Sequence, residues 1–122
     1  MITKLLSLAK QYALPLFVVY ALAIAVLSLI SIGKLPETAP EFSDKIVHCL
    51  AYALFAALFY NYLEEVITKP AILVVVLSML YGTIIEVLQY TLNPDRTFDL
   101  WDIVANGVGI VIAIIIIRVK KT

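Results

Sequence analysis

Residues 100–117 read LWDIVANGVGIVIAIIII, and past Asp102 the stretch carries no charge. From Ile110 to Ile117 it is aliphatic throughout, with none of the alternation that a membrane barrel strand shows over about 10 residues. As a helix rising about 1.5 Å per residue, it comes close to the roughly 20 residues needed to cross the hydrocarbon layer. Three more stretches share this character. Leu14 to Ile32 is uncharged and sits in a first span placed at 12–32. Ile46 to Leu63 is apolar except for His48, Asn61 and several tyrosines, and Ala71 to Leu92 is interrupted by Glu86 and Gln89. The chain reads as an all-α integral membrane four-helix bundle with spans at 12–32, 46–63, 71–92 and 100–117, in one domain over 1–122.

Composition agrees. Of 122 residues, 63% are hydrophobic and 15% charged, more apolar surface than a soluble domain this small can hide. Nine bases balance nine acids, so there is no electrostatic case for nucleic acid. Cys49 is the only cysteine, which excludes an internal disulfide and a multi-cysteine metal site. The first apolar stretch is longer than the roughly 7–15 residues of a signal-peptide core and is expected to remain as a helix. Pro36 and Pro40 make the first connection extended, Pro70 closes a tight turn from Glu64, and Asn93-Pro94-Asp95 signals another turn. With both termini cytoplasmic, Lys4, Lys10, Lys69, Arg118, Lys120 and Lys121 lie inside, and only Lys34, Lys45 and Arg96 lie outside. The positive-inside rule favours that orientation.

In this topology the unusual polar residues gather at the outer end. Asp44, Lys45 and His48 open the second helix, and Glu86 and Gln89 lie near the end of the third. Arg96 and Asp99 occupy the last loop, while Asp102 and Asn106 start the fourth helix. Asp44, His48 and Tyr52 recur every four residues and share a face. Glu86, Gln89 and Tyr90 are read as a second stripe, and Asp99, Asp102, Asn106 and Gly109 as a third. Turning these stripes inward avoids the roughly 2.5–3.5 kcal/mol that a charge at the centre of a span costs. Glu86 is expected to be protonated or paired with Arg96, Lys45 or His48.

Taken in order, Asp44-Lys45-x-x-His48-x-x-x-Tyr52, Glu86-x-x-Gln89 and Arg96-x-x-Asp99-x-x-Asp102-x-x-x-Asn106-x-x-Gly109 resemble the pattern of the VanZ-like family. The likeness runs from about Gly33 to Gly109. The family's named member is associated with resistance to the glycopeptide teicoplanin, and such proteins occur in bacterial envelopes. The resemblance therefore implies a multi-pass protein of the inner (cytoplasmic) membrane, linked to glycopeptide resistance or cell-envelope homeostasis. It implies a place rather than a reaction.

Three functional readings follow. In the leading one, Asp44, Lys45, His48, Tyr52, Glu86, Gln89, Arg96, Asp99, Asp102 and Asn106 line an outer-leaflet pocket for an envelope lipid or the headgroup of a lipid-linked precursor. Arg96 would clamp an anionic group bidentately there. In the second, His48 with Glu86 or Asp102 forms the acid–base pair of a hydrolase or transferase, although no serine or cysteine nucleophile stands at a motif position. In the third, the cluster only braces a non-catalytic scaffold. His48 with Asp44, Glu86, Asp99 and Asp102 also suits Mn, Fe or Mg. No His-x-x-x-His or Glu-x-x-His unit supports a metal, so ion pairing is the preferred reading and no cofactor is expected. Asp99 and Asp102 equally suit a helix start. Cys49 reads as a small inert hydrophobe, Gly82 and Gly109 as sites of close helix approach, and Trp101, Tyr60, Tyr62 and Tyr90 as interfacial residues. Membrane lipids are the expected partners, with a homo-oligomer compatible. For topology, Glu41→Cys and Thr97→Cys should both react with an impermeant thiol reagent in intact cells. Reaction of both only after permeabilisation reverses the orientation.

Overall fold

The computed structural model describes residues 1–30, 43–92 and 99–121. Among them lie five helices and no strand: α1 (Ile2–Gln11), α2 (Ala13–Ile30), α3 (Ser43–Leu63), α4 (Ala71–Leu92) and α5 (Leu100–Lys121). Helices α2 to α5 have 18, 21, 22 and 22 residues, hence lengths of about 27–33 Å. All four are long and apolar enough to cross a bilayer. The protein is an all-α membrane bundle.

Two helices outrun the apolar windows that announce them. Helix α3 begins at Ser43 rather than Ile46 and takes Asp44 into its first turn. Helix α5 continues past Ile117 to Lys121, with Arg118, Lys120 and Lys121 in its last turn. Acids at a helix start and bases at its end suit the macrodipole, so the backbone ladder runs on after hydropathy stops. Helix α1, ITKLLSLAKQ, was not expected from the sequence. Its 10 residues span only about 15 Å and cannot cross the membrane.

The bundle is organised around α3 and α5. Because α4 returns between them in sequence, these two run parallel, and the contacts at both ends agree. Lys45 reaches Asp99 and Asp102 at one end, and Glu64 reaches Lys121 at the other. Between these ends the backbones touch. A Cβ added at Gly109 would stand 2.0 Å from the Cys49 carbonyl oxygen. Ala105, Asn106, Gly109, Ile110, Ala113 and Ile114 form the buried face of α5, and Ala56 of α3 is fully buried. Small residues at such a seam let helices approach where lipid supplies no hydrophobic drive. Around it pack Tyr52, Phe55, Tyr60, Leu63 and Val74. Tyr60, read as interfacial, is buried within the bundle, with the Lys121 ammonium 6.0 Å from its ring centroid.

Helix α2 lies outermost, with Ala13 its one buried residue among those described. Phe17 stacks on Phe59 at 4.5 Å and meets Phe55 edge-on at 5.2 Å. Three side-chain donors then tie the helices together through backbone carbonyls. The Tyr20 hydroxyl donates to Ala51 O at 2.6 Å, Gln89 Nε2 donates to Ser28 O at 2.8 Å, and the Tyr81 hydroxyl donates to Ala21 O.

At the end away from the polar motif, Glu64 bridges Lys10 of α1 and Lys121 of α5, the latter at 2.5 Å. Asn61 Nδ2 donates to Ala9 O at 3.0 Å. Burial alone would raise the Glu64 carboxyl, yet the two ammonium groups outweigh it and hold it below the usual carboxylate range.

The glycines of α5 are not equivalent. A Cβ at Gly107 meets only the flexible Met79 thioether, at 3.2 Å. Gly109→Ala should cost at least about 1–3 kcal/mol through overpacking, and Gly107→Ala much less. Thermal unfolding in one detergent tests this, and equal midpoints for the two variants would remove the α3–α5 seam as the organising contact.

Candidate functional site

The α3 stripe runs from the membrane end inward: Asp44 half exposed, His48 mostly covered, Tyr52 buried. On α5, Asp99 performs the capping role, since its Oδ1 accepts the Trp101 N–H at 2.9 Å. Asp102 and Asn106, one and two turns further on, are buried on the face toward α3. On α4, Glu86 and Gln89 are buried, while Tyr90 is 52% exposed and leaves the stripe assigned to it.

Lys45 is the hub. Its ammonium lies 2.6 Å from Asp99 Oδ2, 2.6 Å from Asp102 Oδ1 and 3.1 Å from Asp44 Oδ2. This ammonium holds the Asp99 carboxyl below the usual carboxylate range. His48 fills the other side. Its Nδ1 is 3.1 Å from the Asn106 amide oxygen, and an oxygen acceptor requires the hydrogen to sit on Nδ1. Its Nε2 then faces Asp44 Oδ1 at 3.6 Å and Asp102 Oδ2 at 3.7 Å. Each of these two aspartates thus presents one oxygen to Lys45 and the other to His48.

Behind this group is a cavity of about 280 Å³ between α2 and the inner helices. Asp44, His48, Tyr52, Glu86, Gln89 and Asn106 supply its polar wall, and Ile24, Leu27 and Ser28 of α2 close the opposite side. Gln89 is 6% exposed, and its Oε1 is buried with no hydrogen-bond partner among the described residues.

Of the ten residues read as a site, nine are described, and they fall into two joined groups. Asp44, Lys45, His48, Asp99, Asp102 and Asn106 form the ionic group; Tyr52, Glu86 and Gln89 line the cavity shared by Asp44, His48 and Asn106. Arg96 lies outside the described residues. Lys45, one of several partners open to Glu86 from the sequence, projects toward the start of α5 and is shared by three aspartates. Sequence reasoning missed the α2 wall, which carried no polar signal beyond Ser28.

A four-span bundle with a buried ionic group and a cavity at one end defines a small multi-pass membrane protein built around an intramembrane polar site. The sequence matches the VanZ/LLP1 family over residues 6–121; the chain belongs to that family and is a VanZ-type envelope membrane protein. No curated protein and no solved structure matches it.

The two aspartates bound equally tightly by Lys45 differ in burial, with side-chain exposures of 37% for Asp99 and 3% for Asp102. Asp102→Ala should approach the roughly 3–5 kcal/mol cost of breaking a buried pair. Asp99→Ala should stay near the cost of about 1 kcal/mol typical of exposed pairs and lost caps. Chemical or thermal unfolding of the two variants gives the comparison, and a reversed order contradicts Asp102 as the buried anchor.

Proposed function

We propose that the cavity binds the polar headgroup of an envelope lipid or lipid-linked precursor at the outer leaflet of the inner membrane, and that this binding serves cell-envelope homeostasis, including tolerance of teicoplanin-type glycopeptides. The observation that carries the reading is the buried Gln89 Oε1, without a partner among the described residues, in a cavity with one polar and one apolar wall. A buried acceptor left unmade costs free energy that a ligand hydroxyl or amide N–H recovers. At about 280 Å³ the space is at the lower limit of small-molecule pockets, which suits a headgroup or one sugar unit. The acyl chains would remain in the bilayer against the exposed apolar face of α2. Asp44, half exposed at the rim, gives the polar end access to water.

A catalytic reading draws on the same geometry. His48 Nε2, facing two carboxylates at the cavity rim, is placed to accept a proton from a bound hydroxyl. Binding is the reading preferred here, because it needs only groups already on the cavity wall.

The test is lipid identification after purification of the full chain into nanodiscs. One lipid class should be enriched over the bulk membrane in the parent. Gln89→Leu, similar in size but without the amide, should lower that enrichment by about 2–10-fold, the worth of one hydrogen bond. Bulk lipid composition in the parent, or unchanged enrichment in Gln89→Leu, overturns the proposal.

A further inference from the structure

Asp44 and His48 are one turn apart on α3, and Asp102 comes from the first turn of α5. One carboxylate oxygen each of Asp44 and Asp102 and one ring nitrogen of His48 lie within 4.8 Å of one another. The edges that share Nε2 measure 3.6 and 3.7 Å, the second of them to Asp102 Oδ2. These are too long for hydrogen bonds. They are close to the roughly 3.4 Å that separates tetrahedral neighbours around an ion binding N and O ligands at about 2.0–2.2 Å. Two features beyond spacing point the same way. His48 Nδ1 is engaged by Asn106, which fixes the ring with Nε2 toward the carboxylates; this is the arrangement in which a ligating histidine is oriented by a partner on its far nitrogen. Asp102 is 3% exposed and commits its other oxygen to Lys45, so the oxygen facing His48 is held in place.

Charge agrees with geometry. The start of α3 and that of α5 each contribute roughly half a positive charge, and Lys45 adds one. Three aspartate side chains oppose these, so carboxyl groups outnumber the one ammonium in the described ionic group. Lys45 takes Asp44 Oδ2 and Asp102 Oδ1, and the other oxygen of each faces His48.

We propose that Asp44, His48 and Asp102 bind one divalent transition-metal ion, of the Mn²⁺ or Zn²⁺ kind, at the rim of the cavity. One imidazole and two carboxylates are a borderline-to-hard donor set suited to such ions. Three protein ligands leave at least one coordination position for water or an oxygen of a bound group. A phosphate-bearing headgroup would then be held through the metal in spite of the surrounding carboxylates. The metal site stands on its own ligand geometry and does not require the lipid reading.

The experiment uses the full chain in detergent, stripped with chelator and titrated with Mn²⁺ alone, without added lipid. Loss of the free-ion electron paramagnetic resonance signal reports binding, and competition by Zn²⁺ reports a shared site. One ion per chain is expected. His48→Gln and Asp44→Asn should each weaken it by at least about 10-fold, whereas Glu64→Gln at the opposite end should bind as the parent does. Asp44 is half exposed, so its variant keeps the test decisive if His48→Gln fails to fold. No binding to the parent, or parental affinity in Asp44→Asn, overturns the proposal. Because no lipid is present, that failure leaves the headgroup reading to stand or fall by its own test.

Discussion

The contact between Gly109 and the Cys49 carbonyl sets the positions of nearly everything else. Cys49 follows His48, and Asn106 lies one turn before Gly109, so backbones touching at that level bring His48 and Asn106 into hydrogen-bond range. One turn nearer the membrane surface the same seam sets Asp44 and Lys45 against Asp102 and Asp99. Parallel neighbours also place like dipole ends side by side, which is unfavourable unless charges offset it. The charge distribution answers that constraint. Acids collect where α3 and α5 begin, and Lys10, Arg118, Lys120 and Lys121 collect where they end.

The bilayer made much of this legible. A helix must be about 20 apolar residues long to span it, so four spans stand out, and charges inside a span must turn inward, so the stripes of α3 and α5 follow from periodicity. Rotation and pairing did not follow in the same way. That Lys45 serves three aspartates depends on how α3 is turned at the Gly109 contact, which no spacing encodes. Tyr60 read as interfacial from composition, but it packs inward because its face continues the line of Tyr52 and Ala56. Helix α1 escaped notice because ten mixed residues resemble a flank more than a span.

Helix α2 follows a different rule. Its neighbours donate to its backbone at Ala21 and Ser28, and its own Tyr20 donates to α3. Carbonyl oxygens have a second lone pair beyond the helical bond, so an otherwise uniform apolar helix can be fixed without polar side chains at those points. This leaves α2 free to present aliphatic groups both to lipid and to the cavity. One wall of the site is therefore apolar and silent in sequence pattern, while the polar wall carries the whole recognisable motif.

The two ends of the bundle put ion pairing to contrasting uses. At the Glu64 end one carboxylate is met by two lysines, and the side chains of those lysines are half exposed, so the arrangement is a clamp that water can share. At the site end three aspartates meet one lysine, and one of them is withdrawn almost wholly from solvent. Neutralising Lys45 needs a single carboxylate, and buried ion pairs seldom stabilise more than well-packed apolar groups would. The cap accounts for Asp99, while Asp44 and Asp102 each give one oxygen to Lys45 and turn the other toward His48. Of this trio, Asp44 and His48 lie on the cavity wall. Ionisable groups gathered at the rim of a cavity are the kind of arrangement in which fold stability and ligand binding can pull against each other.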